Sequence, residues 1–257
     1  MKVVLLAGGL GTRLSEETDI RPKPMVEIGG KPIIWHIMKH YSHYGFNDFI
    51  VCLGYKGYVI KEFFANLFLH LSDVTIDISN NEIQVHNSPV DKWKITLVET
   101  GSHTMTGGRI KRVKKYIDNE RFMLTYGDGV SDVNINQLIS FHEQKGKMCT
   151  VTAVQPSGRF GVLQINDNNE VESFHEKRAE DSGWINGGFF VCEPGIFDFI
   201  EGDDTMWERN PLEAIAQQKQ LASYKHRGFW KPMDSLKDKM DLNELWNTDK
   251  AYWKAWQ

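Results

Sequence analysis

Apolar positions along this chain switch between a contiguous and a helical spacing, and the switches mark its elements. Val3 to Leu6 is a short apolar, β-branched run that reads as a buried strand. Pro32 to Tyr44 follows the helical spacing and opens on a proline, which suits a first helical position. Phe49 to Leu53 is again a strand, and Lys56 to Phe68 an amphipathic helix. That alternation predicts a parallel sheet with helices on its faces. Val74 to Ile78 and Ile83 to His86 flank the turn-rich Ser79-Asn80-Asn81 and predict an inserted hairpin. Ile95 to Val98 reads as a strand and Arg109 to Ile117 as a helix, with Gly101, Gly107 and Gly108 in the connection. Phe122 to Tyr126 is the next strand, ending in Gly127-Asp128-Gly129.

From Cys149 the pattern becomes richer in strands: Thr150 to Val154, Gly161 to Ile165 and Val171 to His175, with Asp167-Asn168-Asn169 as a hairpin turn. Ile185 to Val191 reads as a strand, Asn210 to Gln218 as a helix, and a helical tail follows Asp234. The expected fold is α/β: a Rossmann-like, mostly parallel mixed sheet flanked by helices, with a small β-rich portion. No repeat or flexible linker divides it, so residues 1–257 form one domain with three regions, 1–148, 149–234 and 235–257.

Composition narrows this picture. With 41% apolar and 25% charged residues in 257, the chain has the make-up of a globular protein. No apolar run approaches the roughly 20 residues of a membrane helix, and Met1-Lys2 leads into the first strand without a secretory pattern; no membrane partner and a cytoplasmic location are expected. Cys52, Cys149 and Cys192 are an odd number in apolar contexts, which suits buried reduced thiols. A net charge of −4 argues against a nucleic-acid partner, which calls for a basic face.

The chemistry concentrates in Leu5-Leu6-Ala7-Gly8-Gly9-Leu10-Gly11-Thr12-Arg13-Leu14. Glycines after a strand let backbone N–H groups approach an anion, and Thr12 and Arg13 add donors suited to a polyphosphate. A dinucleotide fingerprint needs a third glycine where Leu14 stands, and a Walker loop needs Gly-Lys-Ser/Thr where Gly-Thr-Arg stands. Lys23, between Pro22 and Pro24, has a stiffened backbone that presents its charge at a fixed place. Ligands of open α/β sheets gather outside the carboxyl ends of strands, so the opening loop, the Gly107 loop and the Asp128 loop are expected to face one crevice.

The pattern Leu-Ala-Gly-Gly-x-Gly-Thr-Arg-Leu followed by Pro-Lys-Pro-Met resembles the signature of sugar-1-phosphate nucleotidylyltransferases. Ser15-Glu16-Glu17-Thr18 and Thr106-Gly107-Gly108-Arg109-Ile110-Lys111-Arg112 are similar to the branch that joins CTP and glucose 1-phosphate. The resemblance implies Mg²⁺ as cofactor, CDP-glucose and pyrophosphate as products, and a place in the synthesis of O antigen and lipopolysaccharide sugars; the same reaction with dTTP, UTP or another hexose 1-phosphate is the alternative, and a non-catalytic nucleotide-sugar sensor the second. It also implies that residues 1–148 bind the nucleotide and residues 149–234 the sugar.

The reaction so implied is attack by a sugar phosphate oxygen on the α-phosphorus of a triphosphate. That nucleophile has its second pKa at about 6, so no general base is needed near neutrality. Bringing two anions to about 4 Å costs on the order of 4 kcal/mol at an effective dielectric of about 20, so cations and alignment carry the catalysis. The resemblance assigns Arg13 to the leaving pyrophosphate and Lys23 to the α-phosphate. It places the nucleotide on Leu6, Ala7, Gly8, Gly9, Leu10, Gly11, Thr12, Thr104, Thr106, Gly107, Arg109 and Gly127. Arg109 is expected to donate to a pyrimidine carbonyl or a phosphate, and the two glycines before it to admit a flat base.

Asp128, between glycines at a strand end, suits a hard cation as well as a turn. The resemblance makes it a magnesium ligand together with Asp234, with Asp132 as a lesser ligand or a helix cap. Lys177 is expected to hold the sugar phosphate and Asn186-Gly187 to form a sugar-contacting turn, although Arg178 stands where the family has proline. His36, His40 and His43 share a helical face but lack the glutamate of a zinc protease motif, so they are expected at a surface or subunit contact. Trp246, Trp253 and Trp256, with Leu242 and Leu245, form an aromatic stripe that suits either the core or a contact between subunits, the homo-oligomer contact being the preferred reading.

Overall fold

Strand β1 (Val3–Leu6) is buried at every position and sits near the middle of a seven-stranded sheet. The others are β2 (Asp48–Leu53), β3 (Lys94–Glu99), β4 (Phe122–Tyr126), β5 (Cys149–Val154), β6 (Ile185–Cys192) and β7 (Leu221–His226), in the order β7-β5-β6-β4-β1-β2-β3. Only β6 runs antiparallel, to both β4 and β5. This computed structural model describes residues 1–9, 11, 14–87, 91–156, 161–165, 171–176 and 183–256.

Side chains alternate across the sheet, and both faces are covered. Val3 and Leu5 share a core with Ile34, Ile37 and Tyr41 of α1 (Ile33–His43), whereas Val4 and Leu6 pack with Ile110, Phe197 and Trp207. A fully buried Val or Leu contributes about 1.5–3 kcal/mol, which is why these strands are apolar throughout rather than alternating. Helix α2 spans Gly57–Leu71, α3 Thr106–Arg112, α4 Ile135–Lys145, α5 Asn210–Gln217 and α6 Leu236–Asn247. The inserted hairpin, Asp73–Asp77 against Glu82–Asn87, forms as the sequence predicts.

Two expectations are revised. Helix α3 begins at Thr106 and ends at Arg112, so Gly107 and Gly108 lie in its first turn rather than in a loop. A Cβ at Gly107 would lie 2.7 Å from the Thr205 carbonyl, and one at Gly108 2.6 Å from Asp203, so both glycines pack against the chain's own backbone. From Cys149 onward β5, β6 and β7 continue the same sheet, while Gly161–Ile165 and Val171–Glu176 pair separately. The Asp167-Asn168-Asn169 turn lies outside the described residues.

The second revision concerns the histidines and tryptophans, which meet inside the molecule. Trp253 and His36 are fully buried, and the indole Nε1–H donates to His36 Nδ1 at 3.3 Å. His36 Nε2–H donates to the Ile28 carbonyl at 2.8 Å, and Trp246 and Trp256 lie edge-on or tilted to the same ring. His40 is buried too, against the Val133 carbonyl, while His43 is exposed. The stripe therefore closes the C-terminal tail over α1, and no cluster of three metal-ligating side chains occurs among the described residues. Cys52, Cys149 and Cys192 are buried free thiols, as expected. No helix among the described residues is long and apolar enough to cross a membrane.

Candidate active site

Parallel strands bring their carboxyl ends to one rim. Leu6 pairs with Cys52 on one side and Tyr126 on the other, and antiparallel β6 begins at that rim with Ile185-Asn186-Gly187. A cleft of 590 Å³ opens there. Leu6 to Gly9, Gly11, Lys23, Thr104 to Thr106, Arg109, Gly127, Asp128, Asn186 and Asp234 line it.

Arg109 organises the floor. Its buried guanidinium donates to the Leu53 carbonyl (3.0 Å), Thr100 Oγ1 (2.8 Å), the Gly101 carbonyl (2.7 Å) and the Gly8 carbonyl (2.9 Å). The fork expected to reach a base or phosphate is therefore directed at the chain's own oxygens. None of these four acceptors is a carboxylate, so the positive charge still acts on whatever anion fills the cleft. Gly8 is glycine for space, since a Cβ there would lie 2.2 Å from Arg109 Nη1.

Opposite stands a cationic side chain held by two acids. Pro22 caps a 3₁₀ turn over Lys23–Met25 in which Pro24 and Met25 are buried, which fixes the lysine backbone as its two prolines suggest. Lys23 Nζ donates at 2.6 Å to Asp128 Oδ2 and at 2.6 Å to Asp234 Oδ1. Burial alone lowers an ammonium pKa, but the two carboxylates outweigh it and hold Lys23 above the ordinary lysine value. The acids meet because Gly129–Ser131 pairs antiparallel with Trp230–Pro232, and Met233 N–H donates to the Asp128 carbonyl at 2.8 Å. Asp238 then accepts the Asp234 and Ser235 N–H groups within the capping box of α6.

Two carboxylates converging on one point suit a hard divalent cation that draws its remaining oxygen ligands from substrate and water. Asp132 pairs with His226 at 2.8 Å, and Asn134 rather than Asp132 caps α4.

Side chains bonded to one another wall the rest of the cleft. Asn186 Nδ2 donates to Tyr126 Oη at 3.1 Å, and Tyr126 donates to Glu208 Oε1 at 2.7 Å. Burial, aided by the Glu208 charge, raises the phenol pKa far above its ordinary value, so Tyr126 stays a donor. Gly187 borders an adjoining hollow of 250 Å³, where Trp230 Nε1–H donates to its carbonyl at 2.7 Å.

Residues 2–253 match the model of the family described as nucleotidyl transferase. This chain belongs to the nucleotidyl transferase family. It is 57% identical over 258 residues to glucose-1-phosphate cytidylyltransferase of Salmonella typhimurium, covering 100% of both chains. It is 47% identical, again over 100% of both, to a probable glucose-1-phosphate cytidylyltransferase of Bacillus subtilis. The structure of HddC from Yersinia pseudotuberculosis matches with a TM-score of 0.69 and 25% identity, covering 95% of this chain and 99% of that one. A UDP-glucose pyrophosphorylase matches with a TM-score of 0.69 at 18% identity, covering 96% of this chain and 98% of that one, a likeness of fold. The mostly parallel, helix-flanked sheet is thus the Rossmann-like fold of nucleotidyltransferases, and the chain is an enzyme of that class.

For a nucleotidyl transferase, most of the sequence-derived site residues are gathered here; Gly107 faces Thr205 instead of the cleft. Leu10, Thr12, Arg13, Lys177 and Arg178 lie outside the described residues. Sequence reasoning missed Tyr126, Glu208 and Trp230, whose partners stand 43 to 102 positions away and leave no local signal.

Proposed function

We propose that this nucleotidyltransferase transfers the cytidylyl group of CTP to α-D-glucose 1-phosphate, giving CDP-glucose and pyrophosphate. The observation that carries the choice of base and sugar is the 57% identity, over full length, to the Salmonella cytidylyltransferase. A sugar phosphate oxygen forms the new bond to the α-phosphorus as the bond to the leaving pyrophosphate breaks, and no proton need move. Lys23 would neutralise charge at the α-phosphate, with Arg109 adding positive potential from the floor. Arg13 at the pyrophosphate and Lys177 at the sugar phosphate complete the reading through the family resemblance, with Asn186 and Gly187 as the sugar turn. Family members generally use a divalent metal; Mg²⁺, held by Asp128 and Asp234, would supply further charge neutralisation and hold the phosphate oxygens in line.

A cytoplasmic location is supported by the buried free thiols, which suit a reducing compartment. A homo-oligomer is supported by the hairpin that carries exposed Ile76, Ile83 and Val85, because a two-stranded hairpin is marginal unless covered. Supply of O-antigen sugars completes the proposal. Pyrophosphate release measured with glucose 1-phosphate and each of CTP, UTP and dTTP tests the reading: CTP should be preferred, and equal turnover with the three would overturn it.

A further inference from the structure

The two walls of the cleft meet at one carboxylate. Glu208 accepts Thr106 Oγ1–H at 2.6 Å on Oε2 and the Tyr126 hydroxyl at 2.7 Å on Oε1. Each donor is bound from behind. Thr106 Oγ1 accepts the Trp207 N–H at 2.9 Å, while Tyr126 Oη accepts Asn186 Nδ2, whose Oδ1 accepts the Gly188 N–H at 2.8 Å.

A hydroxyl has one hydrogen, so these bonds run in one direction only. Tyr126 gives its hydrogen to Glu208 and keeps a lone pair for Asn186, which fixes which end of the Asn186 amide faces Tyr126. An acceptor on both oxygens is required at position 208, and a carboxylate is the side chain that supplies it. The requirement is notable in a cleft for two anions, where an acid repels the ligands.

We propose that Glu208 is a positioning residue for nucleotidyl transfer: by binding Thr106 and Tyr126 together it holds the nucleotide wall in register with Asn186 at the sugar wall. The inference rests on the proposed role of Asn186 as a sugar contact. A group acting in this way changes alignment of the sugar phosphate, whereas a merely structural bond changes stability alone.

Glu208→Gln keeps the shape but turns one acceptor into a donor, so either Thr106 or Tyr126 must rotate away. In the full-length enzyme it should raise KM for glucose 1-phosphate and lower kcat, each about tenfold, with the melting temperature unchanged. Tyr126→Phe should act alike, and the double variant should be no worse than the poorer single variant. Wild-type kinetic constants in Glu208→Gln, or independent, multiplying effects in the double variant, would overturn the proposal. If the wild type turned over a different substrate pair, the functional reading would fail while the same variants, assayed with that pair, still decided the role of Glu208.

Discussion

The two ends of the cleft are built by different means. At the end proposed for the triphosphate, Gly8, Lys23 and the buried Arg109 are fixed by backbone contacts, a 3₁₀ turn and carbonyls at the strand ends. At the end proposed for the sugar, Tyr126, Asn186 and Glu208 hold one another through side-chain bonds, and Asn186 and Glu208 are exposed. Backbone-fixed groups are pre-organised before a ligand arrives, so they suit charge that must be met wherever the phosphorus goes. A side-chain network is set by single hydroxyl hydrogens, so one substitution can retune it. The first end should therefore control kcat, and the second should divide its effect between kcat and the KM of the sugar phosphate.

The largest effect is expected of Asp128→Asn. It removes a carboxylate from the pair that converges on Lys23, and a loss of about a thousandfold in kcat/KM, about 4 kcal/mol, is expected. Titration with magnesium should show weaker activation, while binding of glucose 1-phosphate measured by calorimetry changes little. Unaltered magnesium-dependent turnover would remove Asp128 from the metal site.

A smaller effect, and one on folding, is expected at the floor. Arg109→Met deletes four hydrogen bonds and leaves the Gly8, Leu53 and Gly101 carbonyls to find other donors, which should lower stability by about 3 kcal/mol in urea unfolding. CTP should also bind more weakly, since Gly8 loses its support. Stability equal to wild type would mean that the loop holds itself.

This division also decides what was legible in the sequence. Strand, helix and loop at the triphosphate end follow from contiguous letters: an apolar run, glycines, and a lysine between prolines. Even there the surroundings of Arg109 and Gly107 were not legible, because only the fold brings Gly8 and Leu53 to that guanidinium and Thr205 against that glycine. Asp234 was recognisable through its likeness to the family, yet its meeting with Asp128 depends on a three-residue ladder that no periodicity marks. Glu208 was invisible, since an acid beside a tryptophan carries no signal until Thr106 and Tyr126 arrive beside it. The tryptophan stripe misled for a related reason: spacing shows that a face is apolar, not whether its cover comes from the same chain.

That cover sharpens the comparison once more, because the tail it holds is continuous with Asp234. Burial lowers the His36 pKa from 6.5 to about 4, and the Trp253 N–H pointing at Nδ1 requires the neutral ring. The unfolded chain therefore binds a proton that the folded chain refuses at pH values between these limits. The contribution to stability is complete above pH 6.5, declines as the pH falls towards 4, and reaches a loss of about 3 kcal/mol once both states are protonated. His40, lowered to about 4 by the same burial, acts in the same window. Thermal unfolding of wild type between pH 7 and 4 should show this fall, and His36→Gln, uncharged throughout, should show a shallower one. The tail reaches the metal end through α6, whose capping box contains Asp238 against the Asp234 N–H, so at pH 5 magnesium affinity should weaken before glucose 1-phosphate affinity does. Equal weakening of both would mean that the two ends are mechanically one.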